Sequence, residues 1–417
     1  MKSKNLYLFI FALLINCSQL KALTLSEAVT LALDSYPGLQ ANYQDVNAAS
    51  ARIDFAYSGY KPDIFIDARP QVVVRRHSSK SYPASASINF IQPLYRGGRT
   101  TAAILGATYE YHSQDFLYEE DVQRLILEIA SLYVEILKEQ AVLKANQNNL
   151  SYLEKALKTY QERFDFGDVT QTDLHQSKSR LIGAQASVTE SENRISSLKA
   201  ALEHFIGTNI DQMEMCPSFN GLPESSDKLL GQTLAQNKEY LAQKYLYCAA
   251  WQKYREIKGE KYPELYFNSY AQASKDDFWG GRNSNEAAAE LNLVVPLYQA
   301  ERVCAKLREA AAFAKKQYFL YQKLERELKK CCIQAWNDRA TAKSQIEFYE
   351  AQIKTAKVAL DGVTKEESTG LRTVVDVLDA ELEVLLAEVN LIDSERDRFI
   401  AELEMLHLLG QLCCLVK

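Results

Sequence analysis

The hydrophobic residues of this chain follow the period of a helix over most of its length. From Arg99 to Phe164 there is no proline, and apolar residues recur in steps of three, four and seven: Val122, Ile126, Ile129, Tyr133, Ile136, Leu143 and Leu150, then Leu153, Leu157, Tyr160 and Phe164. This spacing is typical of a helix that packs along one stripe. About 66 residues at a rise of 1.5 Å each predict a rod of roughly 100 Å, which needs partners along its whole length.

A second helix is predicted directly after this rod. The turn at 165–168 contains Gly167, which can adopt a positive φ. Beyond the turn, apolar residues keep intervals of seven: Leu174, Leu181, Val188, Ile195 and Leu202, with Leu198 and Phe205 in the second seam position. The second half has the rows Leu378, Leu385, Ile392, Phe399 and Leu406, and Leu382, Val389 and Leu403. These heptads predict antiparallel coiled-coil hairpins.

Before each long helix the pattern changes to alternation, which predicts strands with one apolar and one polar face. The alternating apolar positions are Ile64, Ile66, Ala68, Val72 and Val74; Ala84, Ala86, Ile88 and Phe90; Leu265 and Phe267; and Ala287, Ala289, Leu291, Leu293 and Val295. Polar loops at 76–82 and 275–285 separate the strands of each pair. Two soluble hairpins on a core would show the same alternation, but strands of about ten residues suit a membrane barrel. A barrel needs at least about eight strands, so several copies would have to share one.

The whole pattern occurs twice, about 203 residues apart, which is too long for a solenoid repeat. Asn89, Pro93, Leu94, Tyr95 and Arg99 recur as Asn292, Pro296, Leu297, Tyr298 and Arg302, and Gly167, Thr170 and Asp173 recur as Gly370, Thr373 and Asp376. A duplicated fold suggests pseudo-symmetry about an axis. We divide the chain into a signal peptide (1–22), a first repeat (23–206), a linker (207–227), a second repeat (228–412) and a tail (413–417).

The N-terminus predicts export from the cytoplasm. Lys2 and Lys4 precede a short apolar stretch, as in a secretory signal cleaved after Ala22; lipidation of Cys17 is the alternative. Cleavage would remove three of the 48 basic residues and none of the 54 acidic ones, which changes the formal charge from −6 to −9. That balance argues against nucleic acid as a partner. No later apolar run reaches the length of a transmembrane helix, so the chain could enter a membrane only as strands.

The chemistry-bearing residues do not form an enzyme-like or metal-binding pattern. Seven cysteines follow Cys17 without a C-x-x-C spacing, and we expect small buried side chains, with a Cys216–Cys248 disulfide as the alternative and zinc less favoured. The five histidines show no metal-ligand or triad spacing. We therefore expect no enzymatic activity, no cofactor and no metal.

Three segments, in order, resemble the TolC family of outer-membrane efflux and secretion channels. The segment 23–28 is similar to the opening helix of that family, 92–99 to its strand-to-helix junction, and 370–380 to its periplasmic hairpin tip. The resemblance implies a mainly α fold with a transmembrane β element, in which three chains share one twelve-stranded barrel. It also implies a location in the outer membrane, in contact with its lipid, and a helical domain in the periplasm.

The function implied by this resemblance is that of a passive export duct, the channel-tunnel of a tripartite efflux or type I secretion system. The implied partners are a periplasmic adapter protein and an inner-membrane RND or ABC pump. Small toxic compounds and whole proteins use the same duct architecture in this family, so the cargo stays open. The alternative is a coiled-coil structural protein without a pore, against which the four alternating strands argue.

The resemblance also places site residues at the helical tips. By position, Asp376 and Asp379 match the aspartates that line the narrow pore entrance, where three chains would contribute six carboxylates; ordinary first-turn helix acids are the alternative. In the family, polar links between neighbouring hairpins hold the closed state. The positions that form these links match Arg372, Thr172 and Asp173 of this chain. The chain departs from the family at Glu367, where an aromatic hydroxyl is expected, and such an acid cannot donate a hydrogen bond unless protonated. Adapter docking is expected at Gly167, Thr170, Gly370 and Thr373.

Overall fold

A computed structural model describes residues 23–75, 80–209, 213–214 and 222–416. Within them the helices are α1 (Leu25–Ser35), α2 (Pro37–Ser58), α3 (Arg99–Asp165), α4 (Gln171–Ile206), α5 (Ser226–Gln236), α6 (Lys238–Gly259), α7 (Arg302–Ser368), α8 (Val374–Leu408) and a 3-10 helix (Leu412–Val416). The strands are β1 (Asp63–Pro70), β2 (Ala84–Arg96), β3 (Glu264–Lys275) and β4 (Asn283–Val294). The signal peptide, Cys17, Cys216 and much of the proposed linker lie outside the described residues. The predicted long helix is confirmed, because α3 and α7 each contain 67 residues.

The four strands form one antiparallel sheet in the order β1-β2-β3-β4. Two predicted boundaries were wrong. β1 ends at Pro70 and not at Val74. Pro70 pairs with Ala84, and both Pro70 and Pro83, the residue before Ala84, lack the N–H group that a regular ladder uses. The second loop is shorter than predicted, because pairing continues to Lys275 and resumes at Asn283.

The register places apolar and polar residues on opposite faces of the sheet. One row across all four strands reads Ile66, Ile88, Ala271 and Ala287, and the adjacent row on the other face reads Asp67, Ser87, Gln272 and Glu286. Large side chains of the apolar face are exposed in the single chain, among them Ile64, Ile66, Ile88, Leu291 and Leu293. A contiguous apolar face of this kind marks a surface that meets lipid or another protein.

The chain packs as two compact units, and each unit takes segments from both repeats. Among the described residues, one unit joins the N-terminal part up to Leu39 with residues of 121–237 and 328–416, and the other joins residues of 40–120 with 238–327. In the first unit the predicted stripe of α3 is confirmed as core, since Ile126, Ile129, Tyr133 and Ile136 have no exposed surface. No helix among the described residues has both the length and the apolarity to cross a bilayer.

Each hairpin contains a buried row of small side chains, in addition to fully buried large residues such as Leu202 and Leu403. In α4 the row is Ser177, Ala184 and Ser191, and in α8 the positions one repeat later include Ala387 and Ser394. In the row that we predicted for α4, Leu202 is fully buried, whereas Leu174 and Leu181 are only half-buried in the single chain. Small side chains let helices approach closely, so the hairpins pack on a seam that the search for large apolar residues missed.

The expectation for the cysteines was largely wrong. Cys332 is buried, where Thr233 is its neighbour, but Cys304, Cys331, Cys413 and Cys414 are exposed. All of these are free thiols in the structure. The thiols therefore do not act mainly as core-filling groups.

Candidate gate at the helical tips

The two hairpin tips, 166–170 and 369–373, have the same backbone construction. At the first, the N–H of Asp168 donates to the carbonyl of Arg163 at 2.9 Å; at the second, the N–H of Leu371 donates to Glu366 at 2.9 Å. Gly167 has φ +83° and Gly370 has φ +78°, as the sequence predicted. A Cβ at either glycine would meet no atom within 4 Å, so the backbone conformation, and not lack of space, requires glycine there.

A threonine–aspartate pair caps the helix after each tip. The side chain of Thr170 accepts from the N–H of Asp173 and Asp173 accepts in return, and Thr373 and Asp376 repeat this arrangement. Asp376 accepts from both the N–H and the hydroxyl of Thr373 at 2.8 Å. These backbone and side-chain hydrogen bonds hold the pKa of the Asp376 carboxyl below its usual range. The capping box fixes where α4 and α8 begin.

The two aspartates assigned to the pore entrance have different surroundings. Asp376 is engaged in the cap of its own helix, whereas Asp379, one turn later, pairs with Arg180 of α4 at 2.6 Å. Both side chains of this pair are largely exposed, at 43% for Arg180 and 59% for Asp379. No short-range pattern indicates the contact between Arg180 and Asp379, since the two positions are 199 residues apart.

A second ion pair joins the two hairpins where α3 and α7 end. Arg163 lies 2.6 Å from the carboxylate of Glu367, whose side chain is only 10% exposed. Burial, followed by the charge of Glu367, raises the pKa of the neighbouring Tyr160 to about 12. The acid that departs from the family pattern therefore has a cationic partner within the chain, a partner that sequence reasoning did not assign to it.

The remaining residues assigned to gate links lie at the tip surface. Arg372 pairs with Glu366 of its own tip at 3.1 Å, and both side chains are about half exposed. Thr172 is exposed in the first turn of α4, next to the capping residue Asp173. These groups are accessible to a neighbouring chain, and the link between hairpins stays a prediction.

A small apolar core supports the tips from behind. It contains Leu153 and Tyr160 of α3, Ala184 of α4, and Val374 and Leu378 of α8. Because residues from both hairpins share this core, a movement of one tip against the other must disturb it. The tips themselves each expose one large apolar side chain, Phe166 at 84% and Leu371 at 77%.

Farther along the hairpins, an ionic network joins α3, α4 and α8; Lys138 and Glu139 are its buried members, and Asp393 and Arg194 are partly exposed. Lys138 contacts Glu139 at 2.9 Å and Asp393 at 3.1 Å, and Arg194 reaches Glu139 at 3.1 Å. Burial lowers the pKa of Lys138, but the hydrogen bonds and charges of its two acidic partners outweigh this and raise it. Sequence reasoning missed this network because its members look like ordinary charged residues of helix faces.

These features define a class of protein: long helical hairpins with paired capped tips, joined to an amphipathic sheet that is open at its edges. The family model described as outer membrane efflux protein matches residues 28–208 and 229–411, one segment in each repeat. The chain therefore belongs to this family, the TolC family, and is an export channel of the outer membrane.

Individual relatives agree with this assignment. The chain is 21% identical to the outer membrane efflux protein BepC of Brucella suis over 93% of its length and 86% of the relative. It is 25% identical to the outer membrane protein TolC of Vibrio cholerae over 79% of its length and 77% of the relative. The crystal structure of VceC from Vibrio cholerae superimposes with a TM-score of 0.84, at 19% identity, over 93% of this chain and 96% of that one. This likeness confirms the fold.

Proposed function

We propose that three copies of this chain close one twelve-stranded barrel and together form the export duct. The observation that carries the proposal is the four-stranded sheet, with one apolar face left exposed and with β1 and β4 at its edges. A pair of open edges can close only against further copies, and an apolar outer face is stable in lipid. The alternative, a structural coiled coil without a pore, leaves that apolar face unexplained.

Native mass spectrometry of the detergent-solubilised protein tests the assembly. We expect a trimer and, after reconstitution into planar bilayers, discrete channel conductance. A stable monomer without higher species would refute the shared barrel. Trimers that conduct no ions would favour the structural alternative.

We propose that the tips gate this duct, with Asp376 and Asp379 around the entrance. The support is their position in the first turns of α8, directly after a capped tip, in a sequence that matches the family there. Arg372, Thr172 and Asp173 are proposed to contact the neighbouring chain in the closed state. Glu367 acts within the chain instead, because Arg163 neutralises it.

We propose that a periplasmic adapter protein docks at the tips and connects the duct to an inner-membrane RND or ABC pump. The exposed apolar side chains Phe166 and Leu371 provide hydrophobic contacts, and the glycine turns give a compact surface. Gly167→Trp should abolish export in a cell-based assay while trimer levels stay unchanged. The matched change Gly183→Trp, on an exposed face of α4 away from the tip, should leave export intact. Normal export by Gly167→Trp would reject docking at this tip.

The protein is proposed to act without chemistry of its own, as a conduit whose pump and adapter select the cargo. The outer-membrane location and the family are established by the match, and the cargo class is not. Export assays with a small toxic compound and with a secreted protein, in cells lacking the gene and in complemented cells, would distinguish efflux from protein secretion.

A further inference from the structure

The junction between β2 and α3 encloses a basic cleft of about 250 Å³ in the second unit. Its lining includes Arg96 at the end of β2, Arg99 and Thr100 at the start of α3, and Phe55 and Gly59 at the end of α2. The backbone turns sharply here through Gly97 and Gly98, with φ of +58° and +78°. The N-terminus of a long helix thus meets two arginines and a hydroxyl around one cleft.

Three polar groups of this cleft are buried without a hydrogen-bond partner in the part of the chain that the structure describes. They are Nε of Arg96, Nε of Arg99 and the hydroxyl of Thr100, a residue that is only 5% exposed. A buried group without a partner costs about 1–3 kcal/mol. Three such groups around one cleft, two of them obligate donors, point to an acceptor-rich ligand.

The second repeat shows that the fold itself does not require these groups. At the corresponding junction, Ala300 and Glu301 keep positive φ values of 46° and 60°, so the backbone turn is the same in kind. Gln299 replaces the first arginine there, and Val303, 2% exposed, replaces Thr100. A buried valine satisfies the packing, so the hydroxyl of Thr100 is additional to what the turn needs.

The nearby acids do not neutralise the cleft. Glu256 lines it but is paired with Lys253 at 2.9 Å. Glu264 accepts a hydrogen bond from Nη1 of Arg99 and is also the cross-strand partner of Arg96, so two guanidinium groups share one carboxylate. The positive end of the α3 dipole adds to this charge. Electrostatics at the cleft therefore favour an anion.

The chemistry of the surroundings indicates a phosphate group. Arginine forks, helix N-termini and a hydroxyl together suit the several acceptor oxygens of phosphate. The cleft lies at the end of β2, and its lining includes the exposed side chain of Phe55. Three further exposed aromatic residues, Tyr57, Tyr60 and Tyr262, occur in the segments that adjoin this end of the sheet. Aromatic and basic residues are enriched at the level of lipid headgroups.

We propose that this cleft binds a phosphate group, supplied by the headgroup of a phospholipid at the membrane surface. Arg96 and the hydroxyl of Thr100 bind the phosphate oxygens, and Arg99 bridges the ligand to Glu264. One headgroup per chain would then anchor the first strand-to-helix junction at the membrane boundary, and the second junction would lack such an anchor. The cleft geometry is independent of the proposed trimer, and only the lipid source rests on the proposed membrane barrel.

Delipidated protein in a phosphate-free detergent provides the test, with native mass spectrometry during titration by phosphatidylglycerol. We expect one tightly bound lipid per chain, and binding about tenfold or more weaker in Arg96→Gln/Thr100→Val, since hydrogen bonds to charged groups are lost. The control is Arg302→Gln, which removes one arginine from the second junction, at the position that corresponds to Arg99, and should leave lipid binding unchanged. Thr100→Val alone installs the residue of the second repeat, so it should fold normally and still weaken binding.

Calorimetry with inorganic phosphate distinguishes the sources of the ligand. If lipid binds and inorganic phosphate does not, the result supports a phospholipid headgroup as the ligand. If inorganic phosphate competes with the lipid, the result supports the phosphate group as the part that is recognised. Phosphate binding without lipid binding supports the anion site but rejects the membrane source. The proposal is overturned if neither ligand binds, or if the double variant and the parent protein bind the lipid equally well. Normal channel conductance in either case would leave the proposed function intact.

Discussion

The ion pair between Arg163 and the buried carboxylate of Glu367 should contribute measurably to the stability of the tips, and thereby to the proposed closed state. Glu367→Gln keeps the shape of the side chain but removes its charge. The Glu367 side chain is 10% exposed and that of Arg163 is 32% exposed, so water can partly hydrate the arginine after the change. Exposed pairs contribute about 0–1 kcal/mol, while breaking a fully buried pair costs about 3–5 kcal/mol. We expect a loss of about 2 kcal/mol per chain, between these limits.

The assay is a double-mutant cycle with Arg163→Met, Glu367→Gln and the double variant. Chemical denaturation of the helical domain gives the free energies, and planar-bilayer recording gives the resting conductance. A loss of about 2 kcal/mol corresponds to roughly a 30-fold change in the unfolding equilibrium constant. Because the pair joins the two hairpins, its loss should also favour separation of the tips, so Glu367→Gln should raise resting conductance. The charge swap Arg163→Glu/Glu367→Arg should restore part of the closed state.

The pair Arg180–Asp379 is a matched control, since it has the same 2.6 Å separation but exposed side chains. Arg180→Gln should cost less than about 1 kcal/mol. A coupling energy below about 0.5 kcal/mol between Arg163 and Glu367 would refute the reasoning that burial strengthens this contact. An equal loss of unfolding free energy when either pair is broken would refute it as well.

Three further predictions address other parts of the chain. Gly97→Ala should destabilise the protein by more than about 2 kcal/mol, because the residue has a left-handed φ and an added Cβ would lie only 2.6 Å from a backbone oxygen. The control is Gly98→Ala, whose Cβ would meet no atom within 4 Å; equal melting temperatures for the two variants would contradict the prediction. Burial, followed by the charge of Glu388, raises the pKa of Glu381, so the charged form of this side chain destabilises the fold at high pH. Glu381→Gln should therefore stabilise the protein near pH 8 and have no effect near pH 4, as measured by denaturation curves. An effect that does not depend on pH would contradict this prediction. In bilayer recordings, the double variant Asp376→Asn/Asp379→Asn should no longer be blocked by a trivalent cation added from the periplasmic side. If the variant is blocked as strongly as the parent, the two aspartates act only as acids of the first helix turns.

Features that depend on neighbouring residues were determined by the sequence alone. The start of α3 at Arg99, the positive φ of Gly167 and Gly370, and the alternating strand faces follow from periodicity and from glycine chemistry within a few positions. The caps formed by Thr170 and Thr373 are encoded in the same way, since each threonine and its aspartate are three residues apart. Duplication strengthened these predictions, because each local signal occurs twice.

Only the tertiary structure decided which distant groups meet. Glu367 contacts Arg163 across 204 positions, and no short-range pattern distinguishes that partner from the many other cations on helix faces. The seam of small side chains likewise depends on how closely two helices approach. At the first junction, Thr100 resembles any helix-start threonine in the sequence; its burial beside two arginines appears only when β2, α2 and α3 are brought together. Local propensity is a property of a few adjacent residues, whereas burial and ion pairing depend on the packing of the whole chain.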